Sequence, residues 1–242
     1  IKFISENREK PFFMYFATND VHVPRFPHDR FRGKNKMGVR GDAIAQFDWS
    51  VGEIVKALEK YHLLDNTLIV ISSDNGPVVD DGYQDRAEEL LNGHQPAGPF
   101  RGNKYSSFEG GTAVPVIVSW KNKVAKNQES DVLLSQIDWL ASFAHLVGAR
   151  LPKGSAFDSE NHLSNLLGEK TNVREWVLEQ SNTRVLSVRT QKWKYIEPSD
   201  GPKMIQWGPK IETGNNAQPQ LFDMQASNFE EKNVAKDHPQ IV

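Results

Sequence analysis

The chain has 242 residues, no cysteine and a formal net charge of −2, so it has room for one large domain or for a domain with a small appendage. The charge offers no electrostatic case for nucleic-acid binding, which usually needs a basic excess on one face. Without cysteine there are no disulfides, thiolate zinc sites or cysteine nucleophile in these residues, and no apolar run approaches the roughly 20 residues that span a bilayer.

The first part of the sequence alternates strand-like and helix-like patterns. Residues 12–17 form a continuous apolar run, which predicts a strand buried on both faces of a parallel sheet. Apolar residues at spacings of three and four over 41–60 predict an amphipathic helix. Residues 68–72 form a second β-branched run. Strand, helix, strand in this order predicts a right-handed parallel crossover.

The pattern changes along the rest of the chain. Residues 114–118 predict a third buried strand, and 132–147 a second amphipathic helix. Beyond residue 150 the strand-like runs become short and alternating, at 185–189 and 193–196, which predicts an antiparallel sheet with one face in water. We therefore expect two domains, residues 1–150 and 151–242.

A polar segment follows the second predicted strand directly, where an open α/β sheet binds its ligands. Asp74 and Asn75 supply a carboxylate and an amide oxygen side by side, which are hard ligands suited to Ca²⁺ or Mg²⁺. Gly76 would let the backbone turn sharply. The alternative is a simple turn, because Asp-Asn-Gly is also a favoured turn sequence.

Two further polar segments adjoin predicted strands. His22, followed by Pro24, lies just past the first strand and could donate a hydrogen bond to an anion or act as a general acid. Lys104 lies on a glycine-flanked loop before the third strand, where it would be a point charge for an oxyanion. Taken singly, the favoured interpretations are an ordinary loop histidine and a solvated surface lysine.

Taken together, the segments resemble the C-terminal half of the formylglycine-dependent sulfatases. The resemblance rests on His-x-Pro at residue 22, Ser-Asp-Asn-Gly at 73–76, and Lys104 followed by Glu-Gly-Gly at 109–111 and proline at 115, and it extends to the tail at 189–195 and 221–224. It covers essentially the whole chain. One departure is Ala113, which stands where the family often has arginine.

The resemblance implies a set of site residues and cofactors. Asp74 and Asn75 match the family's two calcium ligands from this region, with Mg²⁺ as the alternative ion, and two further aspartates lie in an N-terminal segment. Lys104 matches the lysine that binds a sulfate oxygen, and His22 the histidine that contacts the sulfate or its leaving oxygen. The nucleophile, a formylglycine made from Cys or Ser in a Cys/Ser-x-Pro-x-Arg motif, is expected in a missing N-terminal half.

The resemblance also implies a fold and a function. The fold class is α/β, with an alkaline-phosphatase-like, mostly parallel sheet flanked by helices, truncated at its N-terminus, and a small C-terminal α+β subdomain with an antiparallel sheet. The expected activity is sulfuric ester hydrolysis on sulfated carbohydrate of the galactose or N-acetylgalactosamine type, in glycan degradation. His94 and Arg101 are predicted sugar or carboxylate contacts. The location is periplasmic or secreted.

Alternatives remain open at the level of sequence. An alkaline-phosphatase-like phosphoryl hydrolase or transferase would need a second metal cluster with additional Asp and His ligands. A carbohydrate-binding module would bind sugar without catalysis. Under the sulfatase interpretation this chain is inactive alone, and its partners are the N-terminal half of the same protein and a sulfated carbohydrate, with no nucleic acid and no membrane span.

Overall fold

A computed structural model describes residues 1–169, 174–207, 210–227 and 229–242. The chain forms two compact units. The first, called the helical unit, comprises Ile1–Leu68, Val78–Pro96 and Trp207–Lys210; the second, called the sheet unit, comprises Ile69–Pro77, Ala97–Gln206 and Ile211–Val242. The division into residues 1–150 and 151–242 stays a prediction. No helix in the described part of the chain is both long and apolar enough to cross a membrane.

The helical unit is built around one long helix. Helix α1 spans Lys2–Asn7, helix α2 spans Gly38–Lys60, and a single 3-10 turn follows at Leu64–Asn66. Helix α2 confirms the helix predicted at 41–60, and it buries Ala43, Ala57 and Leu58. It ends after Lys60, where the N–H of Tyr61 still donates to the carbonyl of Ala57.

The prediction of a strand at residues 12–17 is wrong. These residues are among those that the structure describes. The segment forms no strand there, and its side chains are largely open to solvent, with Phe13 72% and Tyr15 84% exposed. The apolar pattern is that of a buried strand, but a strand also needs a neighbour to accept its backbone hydrogen bonds. The parallel crossover predicted from this segment to the next strand therefore has no counterpart among the described residues.

The sheet unit contains a two-stranded antiparallel pair. Strand β1 spans Ile69–Ser72 and strand β2 spans Val116–Ser119, with Ile69 opposite Ser119 and Ser72 opposite Val116. Both strands were predicted from their β-branched runs, but the burial predicted for the run at 114–118 is wrong, because Val116 and Ile117 are 41% and 59% exposed. Since they run in opposite directions, the long connection between them starts at the carboxyl end of β1 and returns to the same end of the pair. That connection carries the polar segments of Asp74–Asn75 and of Lys104.

The C-terminal part of the chain forms the predicted antiparallel sheet. Its four strands lie in the order β3–β4–β5–β6, at Trp176–Gln180, Leu186–Thr190, Trp193–Ile196 and Gln220–Asp223. Along β5 the side chains alternate, with Lys194 and Ile196 buried. One face of the sheet covers a core made of Phe108, Val185, Ile196, Phe222 and Met224. Phe108 belongs to the connection between β1 and β2, so the core ties that connection to the sheet.

Three short helices complete the sheet unit: α3 at Glu109–Thr112, α4 at Asp138–Leu146 and α5 at Leu163–Leu166. Helix α4 is shorter than the predicted helix at 132–147 because it begins at Asp138. The Asp138 carboxylate accepts the N–H groups of Ser135 and Glu160 and pairs with Arg174. Those contacts hold the preceding residues in a non-helical path.

Candidate active site

The acid–amide pair lies on the loop that leaves β1. The exposed Asp74 carboxylate accepts the N–H of Asn75 at 3.0 Å, and the side-chain nitrogen of Asn75 donates to the Gly76 carbonyl at 2.9 Å. Because the amide nitrogen is engaged with the backbone, the amide oxygen is the end of Asn75 that suits a cation. A carboxylate and an amide oxygen are the donor types that Ca²⁺ and Mg²⁺ take in proteins.

Gly76 is required for a close approach rather than for a sharp turn. Its φ lies outside the left-handed region, so the turn itself does not demand glycine. Its N–H donates to the Gly111 carbonyl at 2.9 Å, and a Cβ on Gly76 would lie 1.9 Å from the Gly110 carbonyl oxygen. Any side chain at residue 76 would therefore push the Asp74 loop away from the Glu-Gly-Gly segment.

The lysine loop is bonded to the same assembly. The Lys104 N–H donates to the Pro77 carbonyl at 2.8 Å, and the Gly110 N–H donates to the Arg101 carbonyl at 2.8 Å. A Cβ on Gly111 would lie 2.4 Å from the Ser106 carbonyl oxygen, so this glycine also allows backbone to pack on backbone. The structure thus brings the backbones of the acid–amide loop, the lysine loop and the start of α3 together in the sheet unit.

Glu109, the acid of the Glu-Gly-Gly segment, anchors this assembly to the antiparallel sheet. Its buried carboxylate lies 2.9 Å from the Lys194 ammonium and 3.4 Å from Arg189. Burial works against ionisation, but these two cations hold the pKa of Glu109 below its usual value. The Glu109 N–H donates to the Glu230 carboxylate at 2.8 Å. The role of Glu109 is to position the neighbouring loop.

Lys194 sits at the centre of a charge cluster that the sequence analysis missed. Its side chain is fully buried, and its ammonium lies 2.9 Å from Glu109, 3.0 Å from Glu179 and 3.8 Å from Glu230. Burial alone would lower the pKa of Lys194, but the carboxylates outweigh it and raise that pKa. In the sequence, the cluster is indicated only by the alternation of β5, which places Lys194 on the buried face of the strand.

The cluster holds three carboxylates against two cations, so one carboxylate lacks a full partner. Burial raises the pKa of Glu230 to about 7, although Lys194 and the Glu109 N–H act in the opposite direction. One oxygen of Glu230 is buried without a hydrogen-bond partner. A proton on Glu230 would balance the charges of the cluster.

His22 lies in the helical unit, on a loop tied to α2. Its Nδ1 is 2.7 Å from the Val23 carbonyl oxygen, and because a carbonyl only accepts, Nδ1 carries a hydrogen. On the N-terminal side, the Asp20 carboxylate accepts a hydrogen bond from Gln46 of α2, and the Val21 carbonyl accepts one from Arg25 at 3.0 Å. These contacts orient the imidazole, whose Nε2 edge is the one suited to proton transfer.

The two predicted sugar contacts have different surroundings. Arg101 is engaged within the sheet unit, where it donates to both oxygens of Glu212 at 2.6 and 2.9 Å and to the Glu230 carbonyl at 2.9 Å. Its guanidinium also lies 4.1 Å from the Phe108 ring centre, so these contacts give it a structural role. His94 is an exposed residue of the helical unit. A substrate contact stays a prediction for both.

Only part of the predicted site can be assembled from the geometry. The segments of Asp74, Asn75 and Lys104 lie together in the sheet unit, whereas convergence of His22 on them stays a prediction. Within the described ranges no group of three or more His, Asp or Glu residues is placed to hold a metal ion. Asp74 and Asn75 together would supply two of the roughly six to eight oxygens that Ca²⁺ takes.

Comparison with protein families and curated sequences gives consistent matches. The family model described as Sulfatase matches residues 1–149. An N-acetylgalactosamine-6-O-sulfatase of Bacteroides thetaiotaomicron is 50% identical over 240 residues, which is 99% of this chain and 47% of that protein. Human steryl-sulfatase is 31% identical over 210 residues, covering 83% of this chain and 35% of that protein. The chain spans about half the length, or less, of these relatives.

Solved structures give matches of similar extent. A Bacteroides thetaiotaomicron structure, described with the metabolism of multiple glycosaminoglycans, superposes with a TM-score of 0.96 at 50% identity, over 100% of this chain and 50% of that one. The PsFucS1 sulfatase from Pseudoalteromonas superposes with a TM-score of 0.80 at 24% identity, over 99% of this chain and 48% of that one, a likeness of fold alone.

Proposed function

The chain belongs to the sulfatase family, and from this premise we propose that the protein containing it hydrolyses sulfate esters of carbohydrates. The proposed target is a 6-sulfate on N-acetylgalactosamine or galactose. The observation that carries the proposal is the bonding of the Asp74 and Lys104 loops through Pro77 and Gly111, in a chain half identical to an N-acetylgalactosamine-6-O-sulfatase. This chain lacks the nucleophile and would be inactive alone.

In this proposal Asp74 and Asn75 hold a divalent cation, Ca²⁺ or alternatively Mg²⁺, together with ligands from elsewhere in the protein. The donor set fits a hard cation, since the Asp74 carboxylate is exposed and the nitrogen of the Asn75 amide is turned to the Gly76 carbonyl. When bound, such a cation polarises the sulfuryl oxygens. The nucleophile is a formylglycine in the N-terminal part of the protein.

The chain's own cations then act on the ester. Lys104, whose loop is held by the backbone bond to Pro77, provides a positive charge for a sulfuryl oxygen while the bridging oxygen gains negative charge as the S–O bond breaks. His22, with Nδ1 bonded to the Val23 carbonyl, presents Nε2 to the leaving oxygen and gives it a proton. We also assign His94 and Arg101 to carbohydrate contacts and place the protein in the periplasm or outside the cell.

The proposal is tested by sulfate release from the full-length protein. N-acetylgalactosamine 6-sulfate is expected to be hydrolysed in the presence of Ca²⁺, and ion chromatography of released sulfate is the measurement. Removal of the cation with a chelator is expected to abolish turnover, because the sulfuryl oxygens lose their main polarising charge. Re-addition of Ca²⁺ is the control and should restore it.

Two results would contradict the proposal. Faster hydrolysis of a matched phosphate monoester would indicate a phosphoryl hydrolase. Binding of the sulfated sugar with no sulfate release, by protein shown by mass spectrometry to carry the formylglycine, would indicate a binding module.

A further inference from the structure

Arg40 is a buried cation for which the proposed reaction has no use. It is the third residue of α2, and only 4% of it is exposed. Two of its guanidinium nitrogens, Nε and Nη1, are buried without any hydrogen-bond partner. Buried charged donors left unpaired are costly, so an unpaired arginine in the interior of a native protein calls for an explanation.

The surroundings of Arg40 add to this cost. The positive end of the α2 dipole lies here, and the first turn of the helix contains no acidic residue. Burial and the charge of Arg25 lower the pKa of Arg40, while Asp85 acts in the opposite direction. Asp85 is already engaged, since its carboxylate lies 2.5 Å from the Arg25 guanidinium. The site therefore carries an excess of positive charge.

His94 is an exposed residue on which the charge of Arg40 acts. Its pKa is lowered by burial and then by the charge of Arg40. The segment that bears His94 packs on the start of α2, where a Cβ on Gly38 would lie 2.6 Å from the Leu90 side chain. His94 is thus an exposed residue within range of the Arg40 charge, on a segment that packs on the start of α2.

We propose that Arg40 and His94 form a second oxyanion subsite, which binds a carboxylate or sulfate of the carbohydrate other than the ester that is cleaved. An oxyanion there would accept from the two unpaired donors of Arg40 and offset the excess charge. Arg25, whose charge acts on Arg40, donates to the Val21 carbonyl of the His22 loop. The inference rests on the proposed function and deepens it, because it makes the preferred substrate an oligosaccharide with a second anion.

The test compares matched substrates with the full-length protein. Two substrates have no second anion: N-acetylgalactosamine 6-sulfate alone, and its disaccharide with glucose. The other two have one: its disaccharide with glucuronate, and its disaccharide with a sulfated glucose. In Arg40→Gln, kcat/KM is expected to fall about 10- to 100-fold on the substrates with a second anion, as for loss of a charged hydrogen bond. On the two substrates without a second anion, kcat/KM should stay within about threefold of the value for the unmodified protein. Comparison of the losses on the glucuronate and the sulfated-glucose disaccharides shows which anion, carboxylate or sulfate, the subsite prefers.

Two further variants complete the design. His94→Gln, at an exposed position, is expected to cost about threefold to tenfold on the same two substrates, and it carries the test if Arg40→Gln does not fold. Lys56→Gln removes a positive charge from an exposed position on the same helix and should change nothing. An equal loss on all four substrates, or no loss on any, would overturn the inference.

A binding experiment distinguishes failure of the subsite from failure of the proposed hydrolase function. If no substrate releases sulfate, calorimetric binding of the glucuronate and glucose disaccharides still tests the subsite. Tighter binding of the glucuronate disaccharide that Arg40→Gln abolishes would support the subsite without the hydrolase. Equal binding of both disaccharides by the unmodified protein would overturn it.

Discussion

Replacement of Lys104 by alanine in the full-length protein is expected to lower kcat for sulfate release about 10²- to 10³-fold, with a much smaller change in KM. The reason is that the positive charge of Lys104 helps to stabilise the sulfate group as negative charge builds up during cleavage of the S–O bond. The backbone bond from Lys104 to Pro77 does not involve the side chain, so the loop should keep its place in the variant.

The measurement is steady-state sulfate release by the two proteins under identical calcium concentrations. Lys126→Ala, at an exposed position of the same unit, is the matched control and should retain full activity. Lys104→Arg should recover part of the loss, because it keeps the charge in a different shape. A Lys104→Ala enzyme within threefold of the unmodified kcat would remove Lys104 from the reaction.

Replacement of Lys194 by methionine is expected to destabilise the protein by about 3–5 kcal/mol, the usual cost of removing one partner from a buried ion pair. Methionine has a similar length, so the loss reflects the carboxylates of Glu109, Glu179 and Glu230 rather than a cavity. Urea unfolding of the full-length protein followed by circular dichroism is the measurement. A loss below about 1 kcal/mol would show that the cluster does not stabilise the sheet unit.

Glu230→Gln is the matched variant within the cluster, and its expected effect has the opposite sign. Because burial raises the pKa of Glu230 to about 7 in the folded protein, its protonation stabilises the fold fully below the unfolded pKa. That contribution is lost as the pH rises through about 7. Glu230→Gln should therefore be more stable than the unmodified protein at pH 8, by up to roughly 3 kcal/mol, and similar to it at pH 4.5.

Local patterns in the sequence were sufficient for several elements and for the fold class. The spacing of apolar residues predicted α2, and the alternation at 193–196 predicted β5 at the observed bounds Trp193–Ile196. The predicted alkaline-phosphatase-like fold class is confirmed by the solved sulfatase structures that superpose on this chain. Within the described residues, however, all strand pairs are antiparallel. The predicted parallel pairing is therefore not observed among these residues.

The remaining features depend on contacts between residues far apart in the sequence. Glu109 and Lys194 are 85 positions apart, and no periodicity reports that they meet. The same is true of Gly76, whose close contact with Gly110 gives a different reason for glycine than the turn inferred from Asp-Asn-Gly. The run at 12–17 failed for the converse reason, since its composition indicates a strand but a strand needs a neighbour.

The most direct test of the account is a crystal structure of the full-length protein with Ca²⁺ and sulfate bound. We expect the anomalous calcium peak about 2.3–2.6 Å from the Asp74 carboxylate and the Asn75 amide oxygen. The sulfate should accept hydrogen bonds of about 2.7–3.1 Å from both Lys104 Nζ and His22 Nε2. A calcium ion bound elsewhere, or a sulfate contacting Lys104 while His22 points away from it, would contradict the proposed site.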